Sequence, residues 1–157
     1  MTGRPTIGAP ASQRVHTTCV ALRLRYGWRG VLLRGPSGSG KSDLALRLID
    51  GGARLVADDQ TELLARAGRI IARPPATIAG LIELRGVGIV RLARDQLVSQ
   101  APVGLLVDLA PGRQIERLPE PARECLLGLV LPQLALDPFE ASAASKLRLA
   151  FRQLAVA

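Results

Sequence analysis

Residues 30–42 read GVLLRGPSGSGKS, and the fold follows from how this stretch is read. Its second part, Gly35-Pro36-Ser37-Gly38-Ser39-Gly40-Lys41-Ser42, fills every fixed position of a Gly-x-x-x-x-Gly-Lys-Ser phosphate loop. The apolar run Val31-Leu32-Leu33 predicts a buried strand over 28–34. The segment 43–50 predicts a helix, with Leu44, Ala45, Leu48 and Ile49 on one face and Gly51-Gly52 as its stop. A strand before and a helix behind is the context such a loop requires. Glycines at 35, 38 and 40 let the backbone turn tightly so that its N–H groups converge on phosphate oxygens, reinforced by the positive end of the helix. Lys41 supplies a point charge for the β- and γ-phosphates, and the Ser42 hydroxyl is the expected Mg²⁺ ligand. This stretch is read as binding a nucleoside triphosphate.

Outward from the loop, periodicity and punctuation predict an α/β fold. It is a P-loop kinase core in which a mixed, hairpin-rich sheet wraps the loop-bearing strand and helix. Strands are expected over 15–24, 54–57 and 103–109, with a hairpin of 61–66 and 69–72 turning through Ala67-Gly68. Residues 81–84 and 89–90 flank a turn at 85–88. A helix over 119–128 is expected to precede a strand over 129–134. The last helix is expected to be capped by Asp137, with Pro138 in its first position, Glu140 completing a capping box, and the run 141–154 carrying it. The predicted organisation is a flexible leader over 1–13 and one catalytic domain over 14–157.

Composition narrows the function classes. The chain has 157 residues, 48% of them hydrophobic, enough for one proper core. It has no run long and apolar enough to span a membrane, and its start has no apolar signal core. The two cysteines, Cys19 and Cys125, lack metal-ligand spacing and read as reduced packing residues of a cytoplasmic protein. A net charge of +8 raises the question of nucleic acid. The arginines are dispersed, however, and the aromatics Tyr26, Trp28, Phe139 and Phe151 are too scattered for a base-stacking platform on a nucleic-acid strand, so no nucleic-acid partner is expected. One of only two lysines, Lys41, lies in the loop.

A phosphate loop does not name a reaction; the carboxylates must. Gly104-Leu105-Leu106-Val107-Asp108 reads as a Walker B strand whose Asp would hold Mg²⁺ through water. Leu55-Val56-Ala57-Asp58-Asp59 is the competing segment. Adjacent carboxylates at a strand end beside a nucleotide are costly unless metal, hydrogen bonds or protonation relieve them. The plain alternative is that Asp58-Asp59 only forms a turn.

Two stretches, GVLLRGPSGSGKSDLALRLIDGGARLVADD at 30–59 and LIELRGVGIVRL at 81–92, closely resemble the catalytic domain of HPr kinase/phosphorylase, with weaker similarity to about residue 130. The resemblance implies a bacterial protein-serine kinase that phosphorylates the phosphocarrier protein HPr and regulates the phosphotransferase system, in a short form lacking the family's N-terminal domain. It assigns Gly35, Pro36, Ser37, Gly38, Ser39, Gly40, Lys41 and Ser42 to ATP, and Ser42 and Glu83 to Mg²⁺. It makes Asp59 the proton acceptor for the substrate serine and places Lys41, His16 and Arg117 in the active site. His16 lies farther ahead of the loop than is usual in the family; a hairpin insertion at Arg25-Tyr26-Gly27 accounts for the interval. Read alone, the sole histidine of a chain is more often a surface or packing residue. The resemblance also implies a hexamer as the homo-oligomer.

One departure stands out. Bifunctional members carry a Pro-Val-Arg-Pro-Gly-Arg segment associated with phosphorolysis, where this chain reads Pro132-Gln133-Leu134-Ala135-Leu136-Asp137-Pro138. Kinase activity is therefore expected and phosphorylase activity is not. Two other readings stay open: a small-molecule P-loop kinase, and a nucleotide-dependent regulatory module without phosphotransfer. A GTPase is disfavoured by the lack of an Asn-Lys-x-Asp motif.

Overall fold

The structure is a computed structural model that describes residues 11–155. Eleven strands and two α-helices follow the chain as β1 (Ser12–Val15), β2 (Thr17–Leu24), β3 (Gly27–Arg34), α1 (Lys41–Asp50), β4 (Arg54–Ala57), β5 (Thr61–Arg66), β6 (Arg69–Arg73), β7 (Leu81–Leu84), β8 (Gly88–Arg91), β9 (Ala101–Leu109), β10 (Ala122–Leu126), β11 (Leu129–Leu136) and α2 (Ala143–Leu154). Nine strands form one mixed sheet with the path β1-β5-β6-β9-β3-β2-β4, and β10 and β11 join it through β9. The strands β7 and β8 form a separate two-stranded hairpin.

The sheet curls around β9. This strand is parallel to β3 over 103–108 and parallel to β11 over 106–109, yet antiparallel to β6 at 101–102. Both faces of β3 and β9 are covered, which is why each reads as a continuous apolar run rather than an alternation. Val31, Leu33, Leu105 and Val107 face one core with Leu44 and Leu48 of α1 and Leu147 and Phe151 of α2. The residues between them, Leu32 and Leu106, face a second core with Cys19, Leu63, Ile70 and Leu131.

Several expectations change. The strand expected over 15–24 breaks at His16, which sits in a bend between β1 and β2. Ser12 and Gln13, assigned to the leader, pair with β5, while residues 1–10 of that leader lie outside the described residues. The expected insertion at 25–27 is the turn of the β2–β3 hairpin. The expected helix over 119–128 is wrong. Residues 122–126 are β10, folded back on β11 through Leu127 and Gly128, whose φ values of 50° and 77° form a tight hairpin turn. Its helix-permissive composition yields to pairing with a neighbouring strand, a tertiary effect that propensity cannot register.

The last helix starts later than its punctuation suggests. Residues 138–142 are turns, and α2 begins at Ala143 after Ser142. Asp137 caps a different structure: Oδ1 accepts from Phe139 N at 2.9 Å and Oδ2 from Gly112 N at 2.9 Å. Glu140 pairs with Lys146 instead of reaching back to Asp137. Of the two cysteines, Cys19 is buried, and desolvation pushes its thiol well above the ordinary pKa; Cys125 is exposed, so the packing role expected of it fails.

Candidate active site

The loop 35–40 leaves the C-terminal end of β3 and delivers Lys41 and Ser42 as the first residues of α1. Its shape depends on glycine. A Cβ on Gly35 would lie 2.5 Å from Ser39 Oγ, and Gly40 holds φ at 95°. Ser39 N donates to Pro36 O at 3.0 Å, closing the turn. Lys41 is buried, and its ammonium folds over the loop to donate to the carbonyls of Gly35 at 2.6 Å and Pro36 at 3.1 Å. Burial pulls its pKa below the ordinary lysine value, against the opposing pull of Asp59 and Asp58. Ser39 Oγ is buried with no hydrogen-bond partner among the described residues, an orphaned hydroxyl inside the loop.

Facing this loop is the end of β4. Asp58 is buried and gathers three segments far apart in sequence. Its Oδ1 accepts from Ser42 Oγ at 2.6 Å and from Thr18 Oγ1 at 3.0 Å, and its Oδ2 accepts from the backbone N–H of Glu83 at 2.9 Å. These bonds satisfy a carboxylate that would otherwise be expensive to bury. Thr18 Oγ1 in turn accepts from Asp59 N at 3.1 Å. Asp58 also closes a turn, its carbonyl accepting from Gln60 N at 2.7 Å. Asp58 thus both forms a turn and joins Thr18, Ser42 and the backbone of Glu83.

Asp59 has the opposite character. Its backbone is in the left-handed region at φ 64°, a conformation Asp tolerates better than most residues. That twist turns its carboxylate away from Asp58 and toward His16, whose Nε2 lies 2.9 Å from Oδ1. Both side chains are about half exposed, at 46% and 55%. The break between β1 and β2 thus brings His16 to the Asp-Asp end of β4, with β2 and β4 paired antiparallel.

The other candidate metal-binding aspartate is occupied. Asp108 receives Arg34 Nε at 2.6 Å on one oxygen, and Arg34 Nη2 at 3.0 Å together with Gln133 on the other. Arg34 also binds Glu124, so that ion pairs join β3, β9 and β10 and the Gln133 amide adds β11 by a hydrogen bond. The Walker B expectation for Asp108 is not supported: its lone pairs serve the sheet.

A model of the HPr Serine kinase C-terminal domain matches residues 10–131. The chain belongs to that family. Among curated proteins, the HPr kinase/phosphorylase of Geobacillus thermodenitrificans is 35% identical over 116 residues, 68% of this chain and 38% of the relative. That of Limosilactobacillus reuteri is 32% identical over 116 residues, 68% of this chain and 36% of the relative. That of Clostridium tetani is 46% identical over 61 residues, 39% of this chain and 20% of the relative. The chain thus spans between a fifth and two-fifths of the length of these relatives. The solved Hpr(Ser) kinase/phosphatase of Coxiella burnetii superposes with a TM-score of 0.79 at 26% identity, covering 90% of this chain and 95% of that one.

Of the expected residues, Ser42 and the backbone of Glu83 meet on Asp58, Asp59 is tied to it through Thr18, and His16 pairs with Asp59, while Lys41 folds over the loop. Arg117 does not join them: it lies in an exposed irregular segment before β10 and makes no side-chain hydrogen bond or ion pair among the described residues. Thr18, the clamp between the two aspartates, was missed by sequence reasoning. Its signal was faint, the second of two threonines that open a strand whose next four residues are apolar. Among the described residues no three His, Cys, Asp or Glu side chains cluster as a metal site, and no helix is long and apolar enough to cross a membrane.

Proposed function

We propose that this chain is a cytoplasmic ATP-dependent protein-serine kinase of the HPr kinase type, with the phosphocarrier HPr as its protein substrate. The carrying observation is the convergence on Asp58. One buried carboxylate ties the start of α1 at Ser42 to β7 at Glu83, and its neighbour Asp59 projects outward beside His16. The names of the relatives supply the substrate class.

The residues fit a Mg²⁺–nucleotide. Mg²⁺ prefers hard oxygens, usually one or two protein groups plus phosphates and water, and Ser42 and Glu83 are of that kind. The orphaned Ser39 hydroxyl and the glycine-dependent loop suit phosphate oxygens. When bound, Mg²⁺ would neutralise phosphate charge between Ser42 and Glu83. Lys41 exchanges its two loop carbonyls for phosphate, where an ammonium gains more from a full negative charge. Asp59 accepts the proton of the incoming seryl hydroxyl as its oxygen bonds to the γ-phosphorus and the bond from that phosphorus to the β–γ bridging oxygen breaks, releasing ADP. His16 holds the Asp59 carboxylate in line for that task, and Arg117 closes over the transferring group from its exposed segment. By the same family resemblance the chain assembles as a hexamer.

The test is transfer of radiolabelled phosphate from ATP to purified HPr, with Ser→Ala HPr as control. Transfer confined to serine-bearing HPr is expected. Nucleotide binding without any transfer would make the chain a regulatory module, and transfer to a small hydroxyl compound instead would make it a small-molecule kinase.

A further inference from the structure

Phe139 is a large apolar side chain left 73% exposed, and it does not stand in a neutral place. It follows β11, at the ends of the parallel strands β3, β9 and β11 from which the loop 35–40 also emerges. A Cβ built on Gly40 would lie 3.1 Å from Pro138 Cγ and 3.3 Å from Cε1 and Cζ of Phe139, so the ring edge rests on the loop itself. The segment that carries it is anchored. Asp137 holds Phe139 N and Gly112 N, and the Arg47 guanidinium of α1 donates to the Pro138 carbonyl while pairing with Asp43 at 3.0 Å. A fixed, solvent-facing aromatic is thus built into the rim of the loop.

The other aromatics do different work. Phe151 is buried in the core, and Trp28 lies between the guanidinium groups of Arg23 and Arg54. Tyr26 is equally exposed but sits at the far end of β3, roughly 25 Å from the loop for an eight-residue strand. Ligands of open α/β sheets occupy the crevice outside the carboxyl ends of the parallel strands. In this chain Phe139 is the aromatic at that crevice.

We propose that Phe139 is the stacking platform for the nucleobase of the nucleoside triphosphate whose phosphates occupy Gly35–Ser42. This inference rests on the reading of that loop as a phosphate site. An aromatic face holds any base through stacking, so Phe139 contributes affinity for nucleotides over bare polyphosphate rather than choosing among bases. Gly40 is then needed twice, for its positive φ and for the room the ring occupies.

Calorimetric titration of the full chain with ATP and with inorganic tripolyphosphate, both with Mg²⁺, separates the possibilities. Phe139→Ala should weaken ATP about five- to a hundredfold, the range for loss of one stacked base. It should leave tripolyphosphate affinity and the thermal midpoint unchanged, and Phe139→Tyr should bind ATP as the wild type does. Unchanged ATP affinity in Phe139→Ala overturns the proposal. So does an equal loss for both ligands, which would make Phe139 a prop for the loop, or a fall in assembly mass with binding intact, which would make it a subunit contact. Wild-type protein that binds neither ligand defeats the loop reading and this platform with it, whereas failure of the platform alone leaves tripolyphosphate bound.

Discussion

Two adjacent aspartates end up with opposite surroundings. Asp58 is buried under three hydrogen bonds, and Asp59, one peptide further, is thrown outward by a left-handed backbone and meets His16. Repulsion between neighbouring carboxylates is thus relieved by geometry, one being solvated by protein donors and the other by water and an imidazole. The arrangement makes Asp59→Asn an informative substitution, because Asn adopts the left-handed region readily and keeps the side-chain shape. Phosphate transfer should fall by roughly 10²–10⁴ with ATP affinity retained, the usual span for loss of a general base. Single-turnover transfer alongside nucleotide titration is the measurement, and normal transfer in a folded Asp59→Asn protein would remove Asp59 from the chemistry.

At the scale of the element, α1 is held at both ends by other parts of the chain. Its N-terminus begins at the loop, and its C-terminal carbonyls are served by α2: Arg148 Nη2 lies 3.4 Å from Arg47 O and 3.2 Å from Leu48 O. A guanidinium there adds to the backbone donors Gly51 N and Ala53 N on these carbonyls and favours the negative end of the helix. Gly51 makes this approach possible, since a Cβ would sit 1.8 Å from Arg148 Nη2. Its φ of −90° is open to any residue, so Gly51→Ala acts through Arg148 rather than through backbone strain. A loss of about 1 kcal/mol is expected, the worth of such a bond. Arg148→Ala should cost a similar amount and the double variant little more, because both remove one interaction. Additive losses in urea unfolding would show that Gly51 matters for another reason.

Across the whole molecule, the Arg34–Asp108–Glu124 ion pairs link β3, β9 and β10, and Gln133 brings in β11 through its hydrogen bond to Asp108. Burial pushes the Asp108 carboxyl up, but hydrogen bonds from Arg34 and Gln133 and the Arg34 charge outweigh it and leave the pKa below the ordinary value. A carboxyl depressed in the folded state contributes stability above its unfolded pKa of about 3.9 and loses it as pH falls through the lower folded value. The stability gap between wild type and Asp108→Asn should therefore shrink from pH 7 to pH 3, as read by denaturant midpoints. An equal gap at both pH values would mean that Asp108 does not titrate with unfolding. A second molecule-wide expectation concerns reversal of the reaction. The family match ends at Leu131, just before the segment that departs from the phosphorolytic pattern, and of the residues that follow it Phe139 rests on the loop at Gly40. Inorganic phosphate with serine-phosphorylated HPr should yield little pyrophosphate relative to the forward transfer rate; brisk phosphorolysis would place that phosphate on other arginines.

The strand–loop–helix at 28–50, the hairpins at 61–73 and 81–91 and the family itself were legible in the chain, because each rests on contiguous residues: glycines at fixed spacing, apolar periodicity, a signature segment. The β10 strand was not legible, since its extended form depends on pairing with β11 and β11 in turn on β9. The late start of α2 was hidden likewise, because Asp137 bonds to Gly112, 25 residues away, rather than to its own helix. At the candidate site, the phosphate-loop motif named Ser42 and the family resemblance named Glu83 and Asp59, but neither could say what joins them. Asp58 and Thr18 do so through hydrogen bonds between residues 16 to 41 positions apart, and Asp108 is taken up by Arg34 from 74 positions away. Local sequence determines which groups are available; only the closing of the sheet decides which of them a buried carboxylate can reach, because burial forces every such group to find a partner.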